Sequence, residues 1–454
     1  MRRSITSNGS SRGGNPSGVA LAVALATGTA LGGLALSATP ALAKEKPAKA
    51  AAGFSKEFIA AAGPLQTKLE AARAARAKVD AGDGTGQAEL DAALAGAPAM
   101  LAASEAAAKS PSERAAAGQF AVTLGNFNKD PVMQQRGLQE LIASGVLDPA
   151  KQAEMQVVLG KLAYGNKDYA GAQSALSAAA ASGYASDDAV EILVDAYAKA
   201  NNAPAGLAEL RKIVAARRAA GKPVPENWLK RANTVAYNAK LGPEAIEWSL
   251  MQVELYPTKF NWLGSSQLVR RFANYTPNET IDLFRLMLRA GAFENDPKYV
   301  GNEYREYVEA ADPRKLPGEV VSVIDKGLAS GGLTRTQWVT DMRTLAAGRI
   351  AADKASLPAA VKAVRTGADA LSLGDAYLNY DDAAKAEELY KLALAKGGVD
   401  KDRALTRLGI AQFDQAKYAD ARASFGQVAG SRAPIAKLWL TFLNTKDPAG
   451  ARPA

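Results

Sequence analysis

Residues 165–176 read GNKDYAGAQSAL, and residues 414–425 read DQAKYADARASF. Each places a Tyr, an Ala three positions on, and a large apolar residue four beyond that: Tyr169, Ala172, Leu176 and Tyr418, Ala421, Phe425. Steps of three and four put such side chains on one face of an α-helix. The same face written twice, far apart in the chain, marks an internal repeat.

The spacing opens outward from these pieces. In residues 367–400, Leu373-Gly374 is followed by Tyr377, Ala386, Tyr390, Ala393 and Leu394. In residues 402–435, Leu408-Gly409 is followed by Ala421, Phe425 and Val428. A unit starting at Ala153 has Leu159-Gly160, Ala172, Leu176 and Ala179; the next has Leu193, Tyr197, Gly206 and Leu210. Weaker units start at Gly118 (Leu124-Gly125, Gly137, Leu141, Pro149) and at Glu226 (Ala245, Pro257). Each unit reads as two helices in contact, with small residues such as Gly374 and Ala386 at the crossing and Tyr377 and Tyr390 filling the space around it. One such pair cannot bury its own apolar faces, so neighbours must stack.

These residues resemble the tetratricopeptide repeat (TPR) family, in the form of an exported bacterial TPR-containing protein. The pattern departs at Gln412, where Tyr is expected, and at Gly206, where Ala is. The resemblance implies a right-handed superhelical solenoid of antiparallel helix pairs. The residues themselves contain no run of alternating strand type, so the class is all-α. The expected organisation is a signal peptide over 1–43, a tether and Ala-rich helical segment over 44–110, and degenerate to moderate TPR-like repeats over 111–259. Divergent helical repeats follow over 260–366, then two clear units over 367–445 and a disordered tail over 446–454.

Residues 1–18 are polar and basic, Val19–Leu36 is apolar, and Ala41-Leu42-Ala43 precedes Lys44-Glu45-Lys46. That is the layout of a secretory signal, with cleavage expected after Ala43 and a periplasmic or secreted product. No later segment is apolar enough to span a membrane, so no stable transmembrane anchor is expected after cleavage. Without Cys there is no lipid-bearing residue behind the signal.

The chain has neither Cys nor His. Disulfides, thiolate nucleophiles, His general bases and Cys/His zinc sites are excluded. The formal charge is +9, and Arg2, Arg3 and Arg12 in the leader account for three of it. The remainder is too mildly basic for a nucleic-acid binder. Asp80–Asp91 fails as a calcium loop because Gly82 and Gly84 stand where ligands are needed. Glu303, Glu306 and Glu309 read as a charged surface stripe, and the pairs Arg217-Arg218 and Arg270-Arg271 as solvated faces. No catalytic residue, metal site or cofactor is expected.

Two sets of residues are candidates for partner binding. Residues 226–307 hold 13 of the chain's 30 aromatics, with the densest piece at Tyr256, Phe260 and Trp262 beside a Pro. These rings either pack a core or line a groove. The second set follows from the resemblance, which implies ligands on the concave face built by first helices. The matching positions are Lys161 and Tyr164, Asp195 and Lys199, Asp375 and Asn379, and Ile410 and Phe413. They do not reproduce the Lys/Asn clamp that some family members use for C-terminal carboxylates. The expected function is a scaffold for protein–protein interaction in the bacterial envelope, with a protein or peptide partner. The alternative is a polysaccharide- or cell-wall-associated protein aiding glycan export or envelope assembly.

Overall fold

A computed structural model describes residues 53–184, 186–448 and 450. The proposed signal peptide lies outside the described residues. Among those described there is no strand, and no helix is long and apolar enough to cross a membrane. The chain divides into two compact units, one ending at Leu147 and the other starting at Asp148.

The first unit holds α1 (Lys56–Asp80), α2 (Gly86–Leu94), α3 (Ala97–Ala107), α4 (Pro111–Phe127) and α5 (Pro131–Ala143). Phe58, Ala62, Leu65, Leu69, Ala72 and Ala75 form the buried stripe of α1. The entry to α4 is held by Glu113. Its carboxylate accepts from the backbone N–H of Ser55 (2.8 Å), Ser110 (2.8 Å) and Lys109 (2.9 Å). The Ser110 and Ser55 bonds hold its pKa down to about 2. Gly118 and Gly137 let α4 and α5 touch backbone to backbone: a Cβ on either would lie within 2.7 Å of the other's carbonyl oxygen.

The second unit opens with three helix pairs: α6 (Pro149–Gly165) and α7 (Tyr169–Ala181), α8 (Asp187–Lys199) and α9 (Ala203–Ala219), α10 (Glu226–Asn238) and α11 (Gly242–Leu255). The middle stretch, 260–366, keeps the same plan. It contains α12 (Lys259–Ala273) with α13 (Pro277–Arg289), α14 (Pro297–Ala311) with α15 (Pro317–Ala329), and then the long single helix α16 (Gln337–Lys362). The two clear repeats are α17 (Gly367–Asn379) with α18 (Ala383–Lys396), and α19 (Lys401–Asp414) with α20 (Tyr418–Phe425). Helix α21 (Ala433–Lys446) follows.

The turn inside a pair is repeated in detail. Lys167, Asn201, Lys240, Asp381 and Ala416 all have φ between 56° and 63°. Each is followed by a backbone N–H that donates to the carbonyl five residues back, as Asp168 does to Ala163 (2.9 Å) and Asp382 to Tyr377 (3.0 Å). This is the Schellman closure of a first helix. Asn274 takes the left-handed backbone after α12, and Asp312 a positive φ of 56° with an extended ψ after α14. The divergent middle therefore turns where the clear repeats turn, without their signature residues.

The repeat residues act as a small residue seating a large one. A Cβ on Gly374 would lie 2.6 Å from the Tyr390 ring, one on Gly409 2.6 Å from the Phe425 ring, and one on Gly160 2.4 Å from Leu176 Cγ. Both departures have a physical account. In the second pair the Gly position holds buried Val194, and the small residue has moved to the other helix: Gly206 packs against Tyr197, 2.6 Å from a would-be Cβ. Gln412 is buried where Tyr was expected, and its Oε1 accepts from the Ser424 hydroxyl at 2.6 Å.

Most rings of the aromatic-rich middle are core, while Tyr237, Phe260 and Tyr299 are exposed. Phe284 stacks on Tyr307 (centroids 5.2 Å apart), and Phe293 lies 4.5 Å from Tyr304. These rings belong to one cluster that continues into Tyr390, Phe425 and Trp439. The last repeats thus pack back onto α11 to α13, across more than 120 residues of sequence.

Candidate functional site

The first helices do not all present their faces to solvent. On α6, α8 and α10 the face is open and laced by ion pairs. Lys161 Nζ contacts Asp188 at 2.6 Å, joining α6 to α8. Arg231 of α10 reaches Asp195 (3.4 Å) and Glu191 (3.8 Å) of α8. Glu191, Asn227, Lys230, Arg231 and Thr234 line a shallow depression of about 380 Å³ between these helices. Tyr164 is half-buried, in edge contact with Tyr169 at 5.7 Å, and Lys199 is exposed. Burial raises the Asp195 carboxyl above its usual range, against the opposing pull of Arg231 and Lys199. Four sequence candidates therefore share this face: Lys161, Tyr164, Asp195 and Lys199. Arg231, Asp188 and Glu191 join them. These three occupy no signature position, so the repeat pattern does not single them out.

The equivalent face of α17 and α19 is covered by the chain itself. Asp375 is buried and fully subscribed: it accepts from Tyr390 Oη (2.9 Å), Arg403 Nη2 (2.5 Å) and Arg407 Nη1 (2.5 Å). Burial works against its charge, and Arg407 and Arg403 more than offset this, holding the carboxyl below its usual range. Arg407 also binds Asp282 of α13 at 3.1 Å, and Asp282 in turn takes Arg285 (3.1 Å) and Arg432 (2.5 Å). Arg285 continues to Glu319 of α15 at 2.7 Å. Asn379 is buried, its Oδ1 accepting from the Glu319 backbone N–H at 2.8 Å. Ile410 is wholly buried. Phe413 packs on Tyr418, Trp439 and Phe442, with centroids 5.4–5.6 Å away. These four positions are occupied from within, which corrects the expectation of a free surface there. The physical reason is the return of α19 and α21 onto α13 and, for Asn379, the packing of α17 on α15. Trp439 Nε1 donates to the Asp282 carbonyl at 3.1 Å, and Arg289 pairs with Asp414 at 2.6 Å.

The aromatic candidates separate. Trp262 is a core side chain, 2% exposed and in edge contact with Phe442 at 5.5 Å. Tyr256 is half-buried, and its hydroxyl donates to the Val224 carbonyl. Phe260 is 58% exposed and meets Tyr299 edge-on at 6.2 Å. The three do not form one groove.

The charged motifs also sort by partner. Glu303 is buried, paired with Arg270 at 2.8 Å and accepting from Gln267 Nε2 at 2.9 Å, so it is no part of a surface stripe. Arg270 shares itself with exposed Glu306 (2.6 Å), linking α12 to α14. Arg217 and Arg218 diverge as adjacent helical residues must. Arg217 lies over the Trp228 ring at 4.9 Å, and Arg218 pairs with Glu254 at 2.7 Å.

No protein-family model matches the chain, and no curated protein does. Among solved structures, it is similar to a chain in "Structure of Naa15/Naa10 bound to HypK-THB", with TM-score 0.29 and 14% identity over 86% of this chain and 64% of that one. It is also similar to a chain in "Crystal structure of APC/C hetero-tetramer Cut9-Hcn1", with TM-score 0.19 and 13% identity over 87% and 90%. This chain thus matches about two thirds of the length of the first. The helix pairs themselves form an all-α helical-repeat architecture of TPR-like hairpins.

Proposed function

We propose that the chain is an exported, non-catalytic scaffold of the bacterial envelope that binds a protein or peptide partner on the first-helix face of α6, α8 and α10. One observation carries the reading: this face stays open while the same repeat positions on α17 and α19 are filled by the chain's own helices. The open face mixes Lys161, Asp188, Asp195, Lys199 and Arg231 with the ring of Tyr164. Such a mixture suits a polar, charge-matched protein surface, where rim charges set specificity and on-rate. The leader read in residues 1–43 supports export. A glycan partner would draw on basic charge and clustered surface aromatics, and of those rings Trp228, Trp248, Trp262, Phe284 and Tyr307 are core side chains. A photo-crosslinking residue placed at Lys199, in cells exporting the full chain, tests the reading. One dominant protein adduct from Lys199 and none from Asn379 is expected. Equal adducts from both positions, or none from Lys199, would overturn it.

A further inference from the structure

Helix α16 stands between the α14–α15 and α17–α18 pairs with no pair partner of its own. It rests on α15 and α17 through one face, where Val339, Ala346 and Leu357 are buried. Between Asp341 and Lys362 the opposite face carries Leu345, Gly348, Ala352, Ala355 and Ala359, and all seven residues are exposed. They follow one another in alternating steps of four and three, the spacing of a coiled-coil seam. A Cβ added at Gly348 would meet nothing within 4 Å. Asp341 accepts from Gln337 of its own helix at 2.8 Å, and among the described residues neither Asp341 nor Lys362 has an ion-pair partner. Other charges of α16 are engaged off the seam: Arg343 pairs with Asp325 at 2.6 Å, Asp353 accepts from Tyr380 Oη at 3.2 Å, and Lys354 lies over the Tyr380 ring. The seam is therefore apolar along its length, small except at Leu345, and ends in one unpaired charge of each sign.

We propose that two copies of the chain pair through this seam, α16 against α16, antiparallel about a two-fold axis between Ala351 and Ala352. The end charges select both the occupant and its direction. A parallel pair would set Asp341 on Asp341 and Lys362 on Lys362. The antiparallel pair sets Asp341 of each copy on Lys362 of the other, a contact made twice by symmetry. The same register seats Leu345 over Ala359 of the second copy, and Gly348 over its Ala355. A large residue meets a small one, and the two helix axes can approach closely. One helix per copy makes less than a standard interface, so the dimer is weak, with a dissociation constant on the order of 10 µM. The seam shares no residue with the open face of α6, α8 and α10.

Sedimentation equilibrium of the full chain, up to about 200 µM, tests the proposal. A monomer–dimer equilibrium is expected. Ala352→Arg brings two guanidinium groups together at the axis and should weaken it about a hundredfold. Asp341→Lys sets Lys on Lys twice and should weaken it about tenfold, and adding Lys362→Asp should restore it. All three positions are exposed, so these variants should melt like the parent. The chain has no Cys, so single thiols report the register. Ala352→Cys should form a disulfide-linked dimer under mild oxidation, because its two copies face each other at the axis. Ala359→Cys should not, because its copies lie about 22 Å apart along the helices at 1.5 Å per residue. A monomer at about 200 µM overturns the proposal and leaves the face to a helix of another protein. So does association that Ala352→Arg leaves unchanged, or equal crosslinking at 352 and 359.

Discussion

The repeats at 153–214 and at 367–425 follow one sequence pattern and end in opposite states. In the first, the ninth residues of the units, Lys161 and Asp195, lie on an open face and pair with Asp188 and Arg231. In the second, the same places hold Asp375 and Ile410, which are buried under α13 and its neighbours. The signature residues set how two helices pack and leave open what the outer face of the first helix meets. Access is decided by residues outside the signature, above all Asp282.

The comparison breaks most readily at Asp282. Removing it leaves Arg285, Arg407 and Arg432 buried around a missing charge, and an uncompensated buried ion typically costs about 3–5 kcal/mol. Asp282→Ala is therefore expected to lose that much stability in chemical denaturation and to loosen α19 and α21. A substitution in the open half, Asp188→Ala, should cost less than about 1 kcal/mol, because it breaks only an exposed pair. Equal losses would mean that the two halves are not held differently.

Packing sharpens the contrast at the next level. Gly374→Ala drives a Cβ into the Tyr390 ring, which is fully buried and pinned by its bond to Asp375. A loss of about 2–3 kcal/mol is expected. Gly160→Ala meets Leu176, which can change rotamer, and should cost about 1 kcal/mol. Gly348 in α16 faces open space, so Gly348→Ala should stabilise by about 0.5–1 kcal/mol. Thermal melts of the three variants check the order.

Acid titration gives Glu387 and Asp195 opposite signs. Burial opposes the charge of Glu387, and Lys391, Lys417 and Gln415 overcome it, bringing its pKa down to about 2. A depressed folded pKa means that its contribution is present above about 4.3, the unfolded value, and is lost as pH falls toward 2. Asp195 has a raised folded pKa, so the folded state takes up its proton first and gains stability as pH falls through that value. Glu387→Gln is expected to cost about 1–2 kcal/mol at neutral pH and to flatten the acid limb of a stability–pH curve. Asp195→Asn should leave that limb intact.

Much of the fold is local and was legible for that reason. Gly160, Gly374 and Gly409 each face a large residue 16 positions on, so the pairing of small with large is written within one unit. The middle pairs were harder to read because Phe284, Phe293, Tyr304 and Tyr307 pack them with bulk instead of the signature. Closure was not legible at all. Asp282 meets Arg407 and Arg432 across 125 and 150 residues, and no periodicity relates such positions. The single hint was charge in the wrong place: Asp282 and Arg285 interrupt the apolar run TIDLFRLMLR, on the side of α13 that is buried. The site suffered most, since Asp375, Asn379, Ile410 and Trp262 were chosen by position while burial depends on distant partners.

Lys199 and Asn379 occupy the same place in their repeats, and the chain contains no Cys, so single thiols report access without background. Lys199→Cys and Asn379→Cys, each checked for unchanged helicity, are to be labelled with a small maleimide under native conditions. The account predicts rapid labelling at 199 and protection of about a hundredfold or more at 379, where reaction must wait for opening. Equal labelling rates at the two positions would contradict the burial of the α17 face against α15.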